Sequence, residues 1–395
     1  MRLSVSRLLT AAASVLLAVP LLAAPATAAP KGNPPGKPVT VMTRNLYLGA
    51  NINRPVEAAL VAQAQGKTLP EIVAALATAT HVTRGIVDET DFGVRAGLLA
   101  DEIVAAAPDL VGLQEVALWR SGPLQLDRVG ELDAQTVDYD FLQMLLDELA
   151  ARGASYAAVS VGDRADVEAP SFGINPSTGA LVQPRDVRLT MRDVILARTD
   201  NGLRVTGEGD RVFAHNLAVT VAGKQMRFDR GFQWVDVRLG AERFRFVNSH
   251  FEAFSSDLAL AQASELVGAL PDDRTVVFVC DCNTDPLNGS TKPTDTVPHN
   301  APYDLLVGAG GLTDQWLEWA PASEGWTSGL SERVKDTSAA RFDHRIDLVL
   351  ARTASGDGLG VDRGQVVGDQ LSDRDPATGL WPSDHAGVVL RLRGL

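Results

Sequence analysis

The chain has 395 residues, 36 Lys plus Arg against 49 Asp plus Glu, a formal net charge of -13 and only two Cys. With 45% hydrophobic and 22% charged residues it can bury a sizeable core, which excludes wholesale disorder. Two Cys exclude a disulfide-built scaffold and a four-ligand zinc ribbon, and the acidic balance argues against charge-driven binding to nucleic acid or anionic membrane.

The N-terminus has the pattern of a secretory signal. Two Arg precede an apolar stretch, Leu8 to Leu22, and Ala26-Thr27-Ala28 forms a small-x-small cleavage site. We therefore expect residues 1–29 to be a signal peptide, 30–38 to be a flexible lead-in, and the protein to be secreted. An uncleaved anchor is the alternative, but the stretch is short for one because a membrane span needs roughly 20 apolar residues.

Residues 39–395 are predicted to form a single domain in which strands alternate with helices. Strands are predicted from period-two or continuous apolar runs, and helices from apolar residues at helical spacing that end at Gly or Pro. In chain order we predict a strand at Val39–Leu46, two short helices within Pro55–Thr80 of an Ala-rich insertion at 51–91, a helix at Phe92–Ala107 with Val94, Leu98, Leu99, Ile103 and Ala106 on its apolar face, a strand at Leu110–Leu113, a helix at Phe141–Arg152, strands at Val194–Arg198, Phe232–Leu239 and Arg243–His250, a helix at Leu258–Leu270, and strands at Thr275–Cys280, Arg345–Ala351 and His385–Leu392. This mixture predicts an α/β fold with two β-sheets packed face to face and helices outside.

Polar residues stand where several predicted strands begin or end. These residues are Asn45, Glu115, Asn248, His250, Asp281, Asn283, Asp347, Asp384 and His385. A single one is usually a cap or a turn, but strand ends converge on one edge of a sheet, where binding sites commonly lie. Carboxylate and carboxamide oxygens suit Mg²⁺ or Mn²⁺ rather than Zn²⁺, and His suits proton transfer. The pattern therefore predicts metal-assisted hydrolysis of a phosphoester.

Six short blocks in this order resemble the endonuclease/exonuclease/phosphatase superfamily, which includes the DNase I-like nucleases and bacterial sphingomyelinases. They are Thr43-Arg44-Asn45-Leu46, Leu113-Gln114-Glu115-Val116, Asn248-Ser249-His250-Phe251, Asp281-Cys282-Asn283, Arg345-Ile346-Asp347 and Ser383-Asp384-His385. The resemblance implies a four-layer α/β sandwich and a phosphoesterase that depends on Mg²⁺ or Mn²⁺. The substrate it implies is a phospholipid or small phosphoester, a nucleotide or a nucleic acid. We also expect a monomer without a stable membrane span.

The resemblance implies which residues hold the metal and the attacking water. Asn45 and Glu115 look like ligands of the main metal ion. Asp384 looks like a further ligand or a partner beside His250. Asp281 and Asn283 look like the pair that holds the nucleophilic water, or a second metal, and contacts the phosphate.

The remaining implied roles belong to basic residues. His250 looks like the phosphate-binding histidine. His385 looks like the general base, oriented by Asp347. Arg192, in a looser match, lies where some members of the superfamily place an Arg against the phosphate.

The two Cys flank Asp281, and the superfamily usually has Gly where this chain has Cys280. Residues two apart on a strand point to the same face, so a Cys280–Cys282 disulfide is conceivable, but so small a ring would be strained. We therefore favour free, buried thiols here.

Three alternatives stay open from the sequence. The fold alone does not fix activity, so a catalytically silent binding or adhesion module is the alternative function, although every block that carries chemistry is intact. Arg227–Gly231 could offer a cation to an anionic substrate, but a solvated hairpin explains it more simply. The Trp-rich stretch 314–327 is interpreted as structural, with a substrate wall or a membrane-touching loop as the alternative.

Overall fold

The computed structural model describes residues 37–221, 223–356 and 359–395. The predicted signal peptide and nearly all of the predicted lead-in lie outside these ranges. No helix within them is both long and apolar enough to cross a membrane.

Strands and helices alternate along the described chain. The helices are α1 (Asn53–Ala64), α2 (Leu69–Glu89), α3 (Phe92–Ala106), α4 (Phe141–Ala151), α5 (Ser256–Ala269), α6 (Ala301–Val307) and α7 (Gln315–Trp319). The strands are β1 (Val39–Asn45), β2 (Leu110–Gln114), β3 (Leu118–Gly122), β4 (Thr136–Asp140), β5 (Tyr156–Ile174), β6 (Leu181–Arg198), β7 (Arg204–Val212), β8 (Leu217–Val221), β9 (Lys224–Phe228), β10 (Gly231–Leu239), β11 (Glu242–His250), β12 (Thr275–Asp281), β13 (Thr313–Asp314), β14 (Asp347–Arg352), β15 (Gly360–Val367) and β16 (Gly387–Arg393).

Two mixed β-sheets form the centre of the fold. The first has the strand order β15-β16-β1-β2-β6-β3-β4, with β5 also paired to β6, and the second has the order β13-β14-β12-β11-β10-β7. The pairs β1–β2 and β11–β12 are parallel. Parallel neighbours end at the same edge of a sheet, so the carboxyl ends of these four strands define what we call the rim of the fold.

The fold has four layers, with helices outside each of two sheets, and three apolar clusters lie between these layers. Side chains of the first sheet such as Met42 pack with α3 and α4, while Val41 packs between the sheets against Val277 and Val279. On the far side, Phe278 packs with α5. The alternation of a strand's side chains between its two faces produces this order of helix, sheet, sheet and helix. The predicted architecture of two packed β-sheets flanked by helices is confirmed.

A long hairpin of β5 and β6 extends past the rim, and the sequence did not predict it. Only Val194–Arg198 of this hairpin was predicted as a strand, although Val187, Leu189 and Met191 alternate in period two and are buried in the core. On the opposite face of the hairpin, polar cross-strand pairs such as Arg188 with Asp166, at 2.6 Å, join the two strands.

The buried face of α3 also differs from the prediction. The structure buries Phe92, Arg95, Ala96, Leu99, Ala100 and Ile103, and leaves Val94 and Leu98 partly exposed. The buried face differs from the predicted one because it includes Arg95, whose guanidinium donates to buried backbone carbonyls.

The two Cys form a disulfide between Cys280 and Cys282, so the prediction of free thiols is wrong. Both side chains leave β12 on the face that packs against α5 and α6, and both are fully buried. Asp281, between them, points to the opposite face, into the space between the sheets. The disulfide thus lies directly behind Asp281.

Intact-mass measurement tests this disulfide. We expect the unreduced, unfolded protein to be two hydrogens lighter than the reduced protein and to resist alkylation with iodoacetamide. Alkylation of both Cys without a reductant would contradict it.

Candidate active site

Three neighbouring strands of the second sheet bring acidic and imidazole side chains together at the rim. His250 at the end of β11 pairs with Asp281 at the end of β12, and Asp281 pairs with Asp347 at the start of β14. The His250 Nε2 atom lies 3.4 Å from Asp281 Oδ2. Adjacent strands therefore place these three side chains in a row.

His385 faces this row from the segment before β16. Its Nδ1 atom lies 2.9 Å from Asp347 Oδ2, and its Nε2 atom lies 3.9 Å from Asp281 Oδ2. Burial acts to lower the pKa of His385, but the carboxylates of Asp347 and Asp281 outweigh it and raise that pKa well above its usual range. The Asp347 contact leaves Nε2 as the ring nitrogen that faces the centre of the site.

The first sheet closes the site from the other side. The Asn45 side chain at the end of β1 donates from Nδ2 to Asp281 Oδ2 at 2.9 Å, and its Oδ1 accepts from the Tyr47 amide at 2.8 Å. Glu115 follows β2, and its Oε2 accepts from the Leu48 amide at 2.8 Å. Asn45 and Glu115 therefore line one turn of chain, residues 45–48.

Asn283 and Asp384 complete the group. The Asn283 amide donates to Asp281 Oδ1 at 3.1 Å, and its side chain donates to the Phe251 carbonyl at 3.0 Å. Asp384 is flanked by Ser383, whose hydroxyl donates to the Asn45 carbonyl at 2.9 Å. The structure thus brings eight of the nine predicted site residues to one rim.

Arg192 is the exception. Its guanidinium donates to the carbonyls of Val116 and Ala117 and pairs with Asp140 at 2.6 Å. These partners support the chain that follows Glu115, so the contacts favour a structural role over the phosphate contact that the resemblance implied.

The backbone is strained where the site is built. Tyr47, Glu115 and Asn283 have φ angles of 59°, 56° and 44°, in the left-handed region that residues other than Gly rarely adopt. Each follows a strand of the rim within two residues. Such outliers persist where the surrounding structure imposes them, and they concentrate at functional sites.

Negative charge dominates the site. Burial, together with the neighbouring Asp347 and Glu115 carboxylates, raises the pKa of Asp281 to about 7. Burial and Glu115 likewise raise the pKa of Asp384 to about 6. The buried Asp347 Oδ1 atom has no hydrogen-bond partner. An oxygen-rich, negatively charged set with an unpartnered buried carboxylate oxygen fits a hard divalent cation.

Two groups of residues at the rim could hold such a cation. Glu115 and Asp384 are the predicted ligands, together with Asn45. Ligand atoms of Asp281, Asp347 and His385 lie within 4.8 Å of one another and could also hold an ion. A second acidic group, Asp133, Glu168 and Asp186, is equally close but includes no His, and two of its carboxylates cap the amides of Ala134 and Gln125.

The buried Arg95 of α3 supports the site and was not predicted from the sequence. Its guanidinium donates to the carbonyls of Leu46 at 2.6 Å, Tyr47 at 2.9 Å, Pro382 at 3.1 Å and Thr90 at 2.8 Å. Arg95 therefore ties the turn that carries Asn45 to the segment that carries Asp384.

Replacing Arg95 by Met should lower the free energy of unfolding by about 3 kcal/mol or more, because four buried carbonyls would lose their donor. Urea denaturation measures this. Arg333→Met is the matched control, since Arg333 is exposed and pairs with Glu89 at the surface, and we expect a change within about 0.5 kcal/mol. Equal changes in the two variants would contradict the supporting role.

A second missed residue is Arg230, which precedes β10 and is buried. Its Nη1 atom lies 2.6 Å from His250 Nδ1. Burial and the Arg230 charge hold the pKa of His250 well below its usual range, so the ring is neutral. Because Nδ1 accepts from Arg230, the His250 proton is on Nε2, facing Asp281. Arg230 belongs to the segment Arg227–Gly231, which was interpreted as a solvated hairpin; for Arg230 that interpretation is wrong.

Other polar residues of the blocks are structural. Asn248 donates to the carbonyls of Leu113 and Val194 and accepts from Gln114 at 2.7 Å, so it joins the two sheets below the rim. In the Trp-rich stretch, the Thr327 hydroxyl accepts from the amide of Asp347 at 3.2 Å. That stretch therefore positions the partner of His385.

Comparisons with known proteins support the fold. No family model and no curated protein matches the sequence. Among solved structures, an endonuclease/exonuclease/phosphatase from Beutenbergia cavernae is 19% identical with a TM-score of 0.50, covering 91% of this chain and 72% of its own. A mannosyl-6-phosphatase from Bacteroides thetaiotaomicron is 17% identical with a TM-score of 0.48, covering 90% and 99% of the two chains. A truncated TDP2 from Caenorhabditis elegans is 15% identical with a TM-score of 0.46, covering 90% of this chain and 98% of the truncated one. The likeness to the Beutenbergia cavernae protein shows that this chain has the fold of the endonuclease/exonuclease/phosphatase proteins, as its sequence blocks implied.

Proposed function

We propose that this protein is a secreted, divalent-metal-dependent phosphoric ester hydrolase. The observation that carries the proposal is the convergence of Glu115, Asp384, Asp281 and Asp347 with two buried His at one rim of this fold. Mg²⁺ or Mn²⁺ is the cation that such oxygen ligands favour. Secretion rests on the signal-like N-terminus alone.

In this proposal Glu115 and Asp384, with Asn45, hold the cation. When bound, it supplies stabilisation of the negative charge that develops on the phosphoryl and leaving oxygens. Asp281 and Asn283 orient a water molecule in line with the bond that breaks.

In its neutral form, which the raised pKa confines to higher pH, His385 takes the proton of that water at Nε2 while Asp347 holds Nδ1. The water oxygen bonds to phosphorus, the ester P–O bond breaks, and the leaving oxygen is protonated from solvent. His250 donates from Nε2 to a non-bridging phosphoryl oxygen, and Arg230 holds it in the tautomer that can do so.

A panel of phosphoesters tests the proposal. We expect Mg²⁺-dependent hydrolysis of bis-p-nitrophenyl phosphate, lost in EDTA, and a preference between sphingomyelin and plasmid DNA that assigns the substrate class. A silent binding module would hydrolyse none of the three at any Mg²⁺ or Mn²⁺ concentration, and that result would overturn the proposal.

A further inference from the structure

A deep groove opens beside the rim, between α2, β5 and the hairpin of β8 and β9. Its volume is about 530 Å³. Its walls include the apolar side chains of Ile72, Val73, Leu76, Val129, Val167 and Met226. Helix α2 belongs to the Ala-rich insertion, so this groove is built from a segment in which the sequence blocks of the superfamily are absent.

The groove continues inward into a smaller slot that is mainly apolar but also includes Arg84 and Glu168. It shares Leu76, Val167 and Met226 with a slot of about 50 Å³ that runs on to Trp119 and Phe228. A small, mainly apolar slot at the base of a wider groove suits a slender alkyl chain, because burial of its apolar surface is favourable.

Exposed apolar side chains surround the mouth of the groove. Leu69, Leu126 and Leu132 line it and are 58%, 51% and 44% exposed. Isolated exposed apolar residues are common, but several around one opening mark a binding surface.

The other end of the groove approaches His250 through Arg164 and Asp229, and no catalytic residue lines it. Arg164 lines it and donates to Gln233 at 2.6 Å and to Asp193 at 3.0 Å. Asp229 also lines it, and the next residue, Arg230, contacts His250. A ligand in the groove would therefore have one end beside the rim.

The charges of the groove do not suit a nucleic acid backbone. Its basic side chains are engaged: Arg227 pairs with Asp229 at 2.9 Å, and Lys224 donates to the Val129 carbonyl. A groove that binds a nucleic acid backbone needs several unpaired basic side chains along its length.

We propose that this groove holds an unbranched alkyl or acyl chain of the phosphoester on which the catalytic centre acts. The inference rests on the proposed function, and it assigns the substrate to amphiphilic phosphoesters. In this assignment the alkyl or acyl chain lies along α2 with its far end towards Trp119. The phosphoryl group of the same substrate lies at the rim beside His250.

Binding is tested first without catalysis, by calorimetry in EDTA with decylphosphocholine below its micellar concentration. We expect saturable binding of decylphosphocholine and none of phosphocholine. Val73→Asp should weaken binding at least tenfold, because it places a carboxylate against the chain. Val82→Asp is the matched control on the same helix, at a position that is 50% exposed and outside the groove, and it should bind as the unaltered protein does.

Hydrolysis is tested with a series of p-nitrophenyl phosphodiesters whose second ester is ethyl, butyl, hexyl or decyl. We expect KM to fall by up to about fourfold per added methylene while kcat stays constant, since each methylene transferred to an apolar site contributes a fixed increment. Val73→Asp should remove this dependence, whereas Val82→Asp should keep it and leave the rate on the ethyl ester unchanged.

The binding and hydrolysis experiments together distinguish a failure of the groove assignment from a failure of the proposed function. Hydrolysis with neither binding of decylphosphocholine nor chain-length dependence would overturn the groove assignment and leave the proposed function standing. Binding without hydrolysis of any ester would overturn the proposed function, and with it the claim that the bound chain belongs to the substrate. A dimer in sedimentation that Val73→Asp dissociates would assign the groove to a second copy of the chain and overturn the proposal.

Discussion

Replacing Glu115 by Gln should reduce phosphoester hydrolysis by about 10³-fold or more and leave the fold intact. The substitution keeps an oxygen that can accept from the Leu48 amide, so the local structure survives. It removes one negative charge from the group proposed to hold the cation, and cation stabilisation of the transition state is worth several kcal/mol. The measurement is kcat/KM for bis-p-nitrophenyl phosphate at increasing Mg²⁺ concentration.

A weakened ligand set should also shift the Mg²⁺ activation curve to higher concentration. Glu57→Gln, an exposed position on α1, is the control and should behave as the unaltered protein. Unchanged activity of Glu115→Gln at limiting Mg²⁺ would remove Glu115 from the metal site.

Replacing His385 by Ala should lower kcat by about 10²–10⁴-fold, because the reaction would lose its proton acceptor. Asp347→Asn should give a smaller loss, because His385 remains but its Nδ1 no longer faces a carboxylate. In the same variant the pKa of His385 should fall, since Asp347 is the strongest of the carboxylates that raise it. The pH–rate profile reports this change.

His344→Ala is the matched control for His385. His344 lies in the same region, where Ser328 pairs with both His344 and His385, but its side chain is about half exposed and faces Asp343. We expect near-normal kcat. A larger loss in His344→Ala than in His385→Ala would reverse the assignment of the base.

The strand ends could be predicted from the sequence because they adjoin the apolar core. The run Thr275–Cys280 is apolar throughout, so Asp281 stood out as the first polar residue after a buried strand. The period-two pattern of β1 likewise placed Asn45 on the face that carries Val41, and the structure shows that face turned towards the second sheet.

The supporting residues could not be predicted in the same way. Arg95 donates only to backbone carbonyls, which no sequence pattern encodes, and a charged residue in an amphipathic helix is ordinarily exposed. Arg230 lies next to Asp229 in a polar segment and becomes buried only because β10 brings it against His250. The disulfide depends on which face of β12 is covered, and that is a property of the tertiary packing.

Calorimetric titration of Mg²⁺ tests whether the rim holds a divalent cation, and it requires no knowledge of the substrate. We expect saturable Mg²⁺ binding that Glu115→Gln weakens at least tenfold and that Asp133→Asn, in the second acidic group, leaves unchanged. Absence of saturable binding, or binding that Asp133→Asn abolishes and Glu115→Gln does not affect, would contradict the account.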